Sequence, residues 1–316
     1  MGVALICGIS GQDGGFLAKF LLSKGYRVFG TSRDAQMSNF NNLSRLGIKE
    51  EIEVMTMIPT DFRSVLQTLD QVRPDEIYNF SGQSSVGLSF ELPVETLDSI
   101  SIGTLNLLEV IRFLDFPVKF YNAGSGECFG ETPTEGADEN TLFRPRSPYA
   151  VAKSAAYWQV TNYREAYGIF CCSGILFNHE SYLRPERFVT QKIIAAASRI
   201  ALGSKEKLRL GNLDIRRDWG WAPEYVEAMW LMLQQKTADD YVIATGCSFE
   251  LKDFVVTAFQ LLDVDWEESV EIDKNLFRPS DITYSQGNPT KAKQMLDWEA
   301  KTKGVDVVRN MIDYSE

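Results

Sequence analysis

Short apolar runs recur along the chain, and between them apolar residues return every three or four positions. Val3 to Cys7 is the first such run and reads as a strand buried on both faces of a parallel sheet. Further strand-like runs are Tyr26 to Thr31, Ile52 to Met57, Glu76 to Ser81, Val118 to Ala123, Ile169 to Leu176 and Tyr241 to Thr245. Helical spacing separates most of them. Phe16, Leu17, Phe20 and Leu21 place a helix over about 15–24, and Ile100, Thr104, Leu107, Leu108 and Ile111 mark another. This alternation predicts an α/β fold, a doubly wound parallel sheet with helices on both faces.

After Leu176 the pattern loosens into a charged loop, a helix from about Val189 to Leu202, and several short elements beyond Ser248. We therefore expect residues 1–177 with about 221–247 to form a dinucleotide-binding domain. About 178–220 with 248–316 would form a smaller substrate-binding lobe over the C-terminal edge of the sheet, where open α/β folds bind ligands. No repeat or low-complexity tract interrupts this reading.

Two motifs give the pattern chemistry. The first run leads into Gly8-Ile-Ser10-Gly11-Gln12-Asp13-Gly14, a G-x-x-G-x-x-G turn opening a helix. Glycines there let backbone approach a pyrophosphate, and the helix offers its first amides to the anion. The second run ends in Ser32, Arg33 and Asp34. An acid at this place takes the ribose hydroxyls of NAD, whereas an arginine takes the 2′-phosphate of NADP, and the chain has both. The second motif joins Ser125 and Glu127 to Tyr149 and Lys153. Pro148 suits a first helical turn, so Tyr149 and Lys153 share a face. The ammonium is expected to lower the phenol from its usual value near ~10 and make it a base. A surface helix carries the same Tyr-x-x-x-Lys spacing by chance, so its meaning depends on its surroundings.

Composition narrows the classes. The chain has 316 residues, 44% hydrophobic, and a net charge of −11, so it can bury a large core but offers no basic face to nucleic acid. An anionic small molecule would need a local cluster of Arg and Lys. Five cysteines (Cys7, Cys128, Cys171, Cys172, Cys247) form no C-x-x-C pair, which points to a reducing compartment. No apolar run approaches the ~18 residues of a membrane helix, and a cytoplasmic protein is expected. His179 is the only histidine, which argues against both a zinc site and a Ser-His-Asp triad.

Together, Gly8-x-x-Gly11-x-x-Gly14, Ser125-x-Glu127 and Tyr149-x-x-x-Lys153 resemble the extended short-chain dehydrogenase/reductase family. Within it, Pro-Arg-Ser-Pro-Tyr at 145–149, Gly-Ile-Leu-Phe-Asn-His-Glu-Ser at 174–181 and Gly-Asn-Leu-Asp-Ile-Arg-Arg-Asp-Trp-Gly at 211–220 look like the GDP-mannose 4,6-dehydratases. The resemblance implies a redox-neutral dehydration of a GDP-sugar. Tyr149, helped by Ser125, would take the 4-hydroxyl proton while C4 gives hydride to NADP, with NAD as the alternative. Glu127 would remove the C5 proton and assist loss of the 6-hydroxyl, and the hydride would return to C6. Phe80, Ser81, Gly82, Gln83, Ser84, Lys153, His179 and Arg184 would join the glycine turn and Arg33 around the cofactor. Asn178, Lys192, Arg217 and Arg278 would hold the diphosphate and sugar. A homodimer or homotetramer is implied.

Four departures touch the cofactor's adenosine end or the oligomer. Asp34 stands where the family tends to have a second Arg, Ile58 where it has Asp, Glu95 where it has Tyr, and Tyr182-Leu-Arg-Pro185 where it has Pro-Arg-Arg-Gly. In the family that last loop reaches the cofactor of a neighbouring subunit. The other readings are a 4-keto reductase or epimerase on the same scaffold, a dehydratase of a related GDP-hexose or GDP-heptose, a dinucleotide sensor without catalysis, and a cysteine nucleophile at Cys128.

Overall fold

The computed structural model describes residues 2–314. Its strands are β1 (Val3–Cys7), β2 (Arg27–Ser32), β3 (Glu53–Thr56), β4 (Glu76–Asn79), β5 (Lys119–Ala123), β6 (Cys171–Leu176), β7 (Asn178–Glu180), β8 (Leu208–Leu210), β9 (Arg216–Trp221), β10 (Tyr241–Ile243), β11 (Ser248–Glu250) and β12 (Val270–Ile272). The helices are α1 (Gln12–Ser23), α2 (Asn41–Arg45), α3 (Phe62–Val72), α4 (Val86–Glu91), α5 (Pro93–Leu97), α6 (Gly103–Leu114), α7 (Pro148–Tyr167), α8 (Val189–Ala201), α9 (Ala222–Gln234), α10 (Leu251–Gln260), α11 (Trp266–Ser269), α12 (Thr290–Leu296) and α13 (Val305–Asp313).

All seven apolar runs become one parallel sheet in the order β10-β6-β5-β4-β1-β2-β3, the doubly wound arrangement with its switch point between β1 and β4. Side chains alternate across it, so the sheet is apolar on both faces. Ala4 and Ile6 pack with α1 and α9, while Leu5 and Cys7 pack with α3, α6 and α7. A separate core joins α8, α10 and α13 to β8 and β9 through Ile193, Phe254, Phe259, Trp219 and Met311. Ala292, Leu296 and Trp298 return to the sheet's own core. Among the described residues no helix is long and apolar enough to cross a membrane.

Two strands stop short of their apolar runs because side chains take the backbone amides that would extend the ladder. Asn79 Oδ1 accepts from Ser81 N at 3.1 Å, turning the chain out of β4. Asp218 accepts from Thr245 N at 2.9 Å and Gly246 N at 3.0 Å, which ends β10.

The 20-residue α7 is fixed at both ends. Ser147 caps it, its hydroxyl accepting from Ala150 N at 3.1 Å, with Pro148 next. Near its other end Arg164 forks onto Asp240, Nη1 to Oδ1 at 3.0 Å and Nη2 to Oδ2 at 2.6 Å. Asp240 also accepts from Ser173 N. This buried bidentate pair sets the helix against β6 and β10, which fixes where Tyr149 and Lys153 emerge.

Candidate active site

The glycine turn is shaped for an anion. Gly8 has φ +86°, and a side chain there would come within 3.0 Å of the Phe80 backbone. A Cβ on Gly14 would lie 2.7 Å from Gly8 O. Around Gly11 the nearest atom to such a carbon is Gly8 O at 3.5 Å, so that side of the turn stays open. α1 begins at Gln12, earlier than its apolar spacing implied, with Gly11 as N-cap and no side-chain cap. Among the described residues its first-turn amides have no side-chain partner, and the residues present fit a bound pyrophosphate.

The side chains of this turn have a second task. Gln12 Nε2 donates to His179 O at 3.1 Å and its Oε1 accepts from the Ser181 hydroxyl at 2.7 Å, so Gln12 ties α1 to β7. Asp13 Oδ2 lies 2.9 Å from His179 Nε2, and His179 Nδ1 lies 2.8 Å from Phe177 O. Both ring nitrogens face acceptors, an arrangement that favours the protonated ring, which stacks on Tyr225 at 4.7 Å. Burial pulls His179 down, but the Asp13 carboxylate outweighs it and raises the imidazole. Burial likewise opposes ionisation of Asp13, yet His179 and the Gln12 amide bring it down to about 2.

That shift fixes a pH dependence. Asp13 is lowered from 3.8 to about 2 on folding. Its contribution of about 2 kcal/mol is therefore present above the unfolded value and lost as pH falls through the folded one. In urea unfolding, the stability gap between the native chain and Asp13→Asn is expected to narrow from pH 4 toward pH 2. A gap independent of pH would remove this account of the pair.

A cleft of about 690 Å³ opens beyond the C-terminal ends of β1, β4, β5 and β6. Ser125, Glu127, Tyr149 and Lys153 all line it, as do Asp13, Phe80, Ser84, Asn178, His179 and Arg184, with Lys192, Arg217 and Arg278 on the lobe side. Gly8, Ser10, Gly11, Gln12, Gly14, Arg33, Ser81, Gly82 and Gln83 lie outside its lining. Ser10 O accepts from Asn42 Nδ2. Gln83 turns back to donate to Ser85 O and Thr96 Oγ1.

Ser125 caps the short turn Gly126–Phe129, its Oγ accepting from Glu127 N at 3.3 Å. Glu127 is half-buried in the cleft wall. Lys153 Nζ donates to Ala123 O at 2.7 Å and lies 5.9 Å from the Tyr149 ring centroid. The expectation that this ammonium lowers the phenol is corrected here. Burial dominates and raises Tyr149, with the Ser125 hydroxyl acting against it, and burial brings the Lys153 amine itself down to about 8.

Arg217 is 4% exposed and donates to Arg216 O at 3.0 Å and Asp281 Oδ1 at 3.2 Å. Burial lowers its pKa, and the charges of Glu127 and Asp281 oppose that. Arg278 reaches the same Asp281 at 3.8 Å. Lys192 donates to Arg209 O, and Arg184 pairs with Glu180 at 3.2 Å while lying over Phe188 at 3.9 Å. Asp281, Glu180, Arg187 and Asn212 also line the cleft and were missed in the sequence. Arg187 was legible as a further cation in the charged loop, but nothing linear places Asp281 beside Arg217. Burial pushes the Cys128 thiol up to about 11, which leaves no thiolate for a cysteine nucleophile.

The sequence profile described as GDP-mannose 4,6 dehydratase matches residues 5–311. GDP-mannose 4,6 dehydratase 1 of Arabidopsis thaliana is 45% identical over 321 residues, covering 98% of this chain and 89% of the plant protein. The chain belongs to the GDP-mannose 4,6-dehydratase family. The GDP-mannose 4,6 dehydratase of Homo sapiens is 41% identical, over 98% of this chain and 90% of the human one. Among solved structures, the Thermus thermophilus UDP-glucose 4-epimerase in complex with NAD matches with a TM-score of 0.87 and 23% identity. It covers 99% of this chain and 98% of that one, a likeness of fold alone.

The Tyr182 loop is held by contacts within its own chain. The Tyr182 ring meets Phe16 edge-on and stacks with Tyr314, each at 5.7 Å, and Arg45 lies over it at 5.1 Å. Arg45 Nη1 also donates to Tyr182 O.

Proposed function

We propose that this dehydratase-family chain converts GDP-D-mannose to GDP-4-keto-6-deoxy-D-mannose, with a nicotinamide dinucleotide held at the glycine turn. One observation carries the reading: Ser125, Glu127 and Tyr149 line a single cleft. A dehydrogenation needs one base, but eliminating water needs a second acid/base group, and Glu127 has the place for it.

A bound dinucleotide would supply the acceptor for the hydride leaving C4 and the donor that returns it at C6, so that only water is lost overall. Tyr149, whose phenol the Ser125 hydroxyl acts to lower, takes the proton of the sugar's 4-hydroxyl. Lys153, held by Ala123 O, contributes positive charge at the same wall. A ketone at C4 acidifies the C5 hydrogen. Glu127 removes that proton and passes it to the departing 6-hydroxyl, which leaves as water. Arg217, Arg278 and Lys192 supply the positive charge that a GDP diphosphate needs and that the acidic chain otherwise lacks. Asn178 serves the sugar, and Asp13, His179, Phe80 to Ser84 and Arg184 serve the cofactor side. The proposed division into a dinucleotide part and a lobe is supported by the separate core around α8, α10 and α13, save that α12 and Trp298, within the proposed lobe span, pack with the sheet. The buried thiols of Cys7, Cys128, Cys171 and Cys172 suit a reducing, cytoplasmic setting.

Incubation of the protein with GDP-D-mannose and its dinucleotide should give a product lighter by one water and carrying a carbonyl. No water loss from GDP-mannose, nor from a related GDP-hexose or GDP-heptose, would overturn the reading. Retention of water with a changed 4-configuration would favour an epimerase.

A homodimer is part of the same proposal. α6 and α7 expose Phe113, Val151, Trp158 and Tyr167, with Phe113 67% and Trp158 60% exposed, an apolar face that a second copy would cover. With the Tyr182 loop tied to its own chain, a dimer is favoured over a tetramer. Sedimentation should give the mass of two chains, and Trp158→Glu should move the population to one. A native monomer at micromolar concentration would contradict this.

A further inference from the structure

We infer that the adenosine end of this site selects a dinucleotide without a 2′-phosphate, NAD over NADP, with Asp34 and Glu95 as the residues that set the preference. The inference rests on the proposed binding of a nicotinamide dinucleotide at the glycine turn and adds which one.

Gly8 N and Ile9 N both donate to Thr31 O at 3.2 Å. The residues just after Thr31 therefore stand beside the phosphate turn, where the adenosine ribose lies in a doubly wound sheet. Arg33 and Asp34 are among them, and Glu95 joins them as the partner of Arg33. Asp34 is locked in place, its Oδ1 accepting from Gln36 N and Met37 N at 3.0 Å each. Its other oxygen has no protein partner among the described residues and is left for a hydroxyl pair. Arg33, the side chain that would otherwise favour a phosphate, pairs with Glu95 on α5 at 3.5 Å. Ser32 Oγ shares a hydrogen bond with Ser38 Oγ and donates to Asp34 O, so it is not a free donor either.

Glu95 thus offsets Arg33, and Asp34 leaves these three side chains with a net negative charge. A phosphate monoester carries about −1.5 to −2 at neutral pH, so a 2′-phosphate would meet like charge, whereas ribose hydroxyls would meet an acceptor. The Arg33–Glu95 pair is exposed, its Arg33 side chain 80% so, and such pairs are weak. Glu95 alone could release Arg33 to a phosphate. Asp34, fixed by two backbone amides, carries the larger share of the preference.

The test is a calorimetric titration of the nucleotide-stripped protein with NAD⁺ and with NADP⁺, beside mass analysis of the nucleotide that copurifies. NAD⁺ is expected to bind at least about 10-fold more tightly, and NAD to copurify. Asp34→Arg combined with Glu95→Gln should shift the ratio of dissociation constants toward NADP⁺ by at least about 10-fold, and Asp34→Ser alone by most of that. Both positions are exposed, and an unchanged far-ultraviolet spectrum verifies the fold of each variant. Tighter binding of NADP⁺ by the native chain, or an unchanged ratio in both variants, overturns the preference while leaving the dinucleotide reading intact. Binding of neither nucleotide at millimolar concentration overturns both.

Discussion

Glu127→Gln is expected to lower kcat for water loss by about 10²- to 10⁴-fold, the range for removing one general acid/base group, while oxidation at C4 continues. Glutamine keeps the size of the side chain and the backbone bond from Glu127 N to Ser125 Oγ, so the turn and the phenol's partner should survive. What disappears is the ability to take a proton from C5 and deliver it to the 6-hydroxyl. The 4-keto hexose with its 6-hydroxyl intact should then accumulate on the protein, and a borodeuteride quench should place deuterium at C4 of an undehydrated GDP-hexose. Full turnover by this variant would remove Glu127 from the chemistry and favour a reductase or epimerase.

Tyr149→Phe is expected to cost a similar factor of about 10² to 10⁴ in kcat with KM little changed, but its signature differs. With no phenol, the 4-hydroxyl proton has no acceptor, so neither the C4 ketone nor exchange of the C5 hydrogen should be seen. Burial raises the phenol, so the site depends on positive charge close by to make it a base. The Lys153 amine, itself brought down to about 8 by burial, donates to Ala123 O at the same wall, and Lys153→Met is expected to lose most of the activity. A Tyr149→Phe variant that still exchanges the C5 hydrogen would show that another group opens the reaction.

The sequence carried the sheet well because burial on both faces leaves a dense apolar signature. Each of the seven apolar runs became a strand, and Ser147-Pro148 marked the start of α7 by local chemistry alone. The errors lie where a distant side chain intervenes. Thr245 left the β10 ladder because Asp218, 27 residues earlier, holds its amide. The Gln12 side chain meets Ser181 across 169 residues, a tie that no local pattern announces. The cleft's four central residues were legible from their spacing and their resemblance to a family, whereas Asp281 was not, since its partner Arg217 lies 64 residues away. The phenol's raised pKa was also invisible in the sequence, where a neighbouring lysine can be counted but the depth of burial cannot.

In the proposed reaction, hydrogen leaves C4 of the sugar and comes back at C6 of the same molecule. Mass and magnetic resonance analysis of the product from C4-deuterated GDP-D-mannose tests this directly. Deuterium is expected in the new C6 methyl group, with none left at C4. Deuterium washed out into solvent, or retained at C4 in a product that has lost water, would contradict the account.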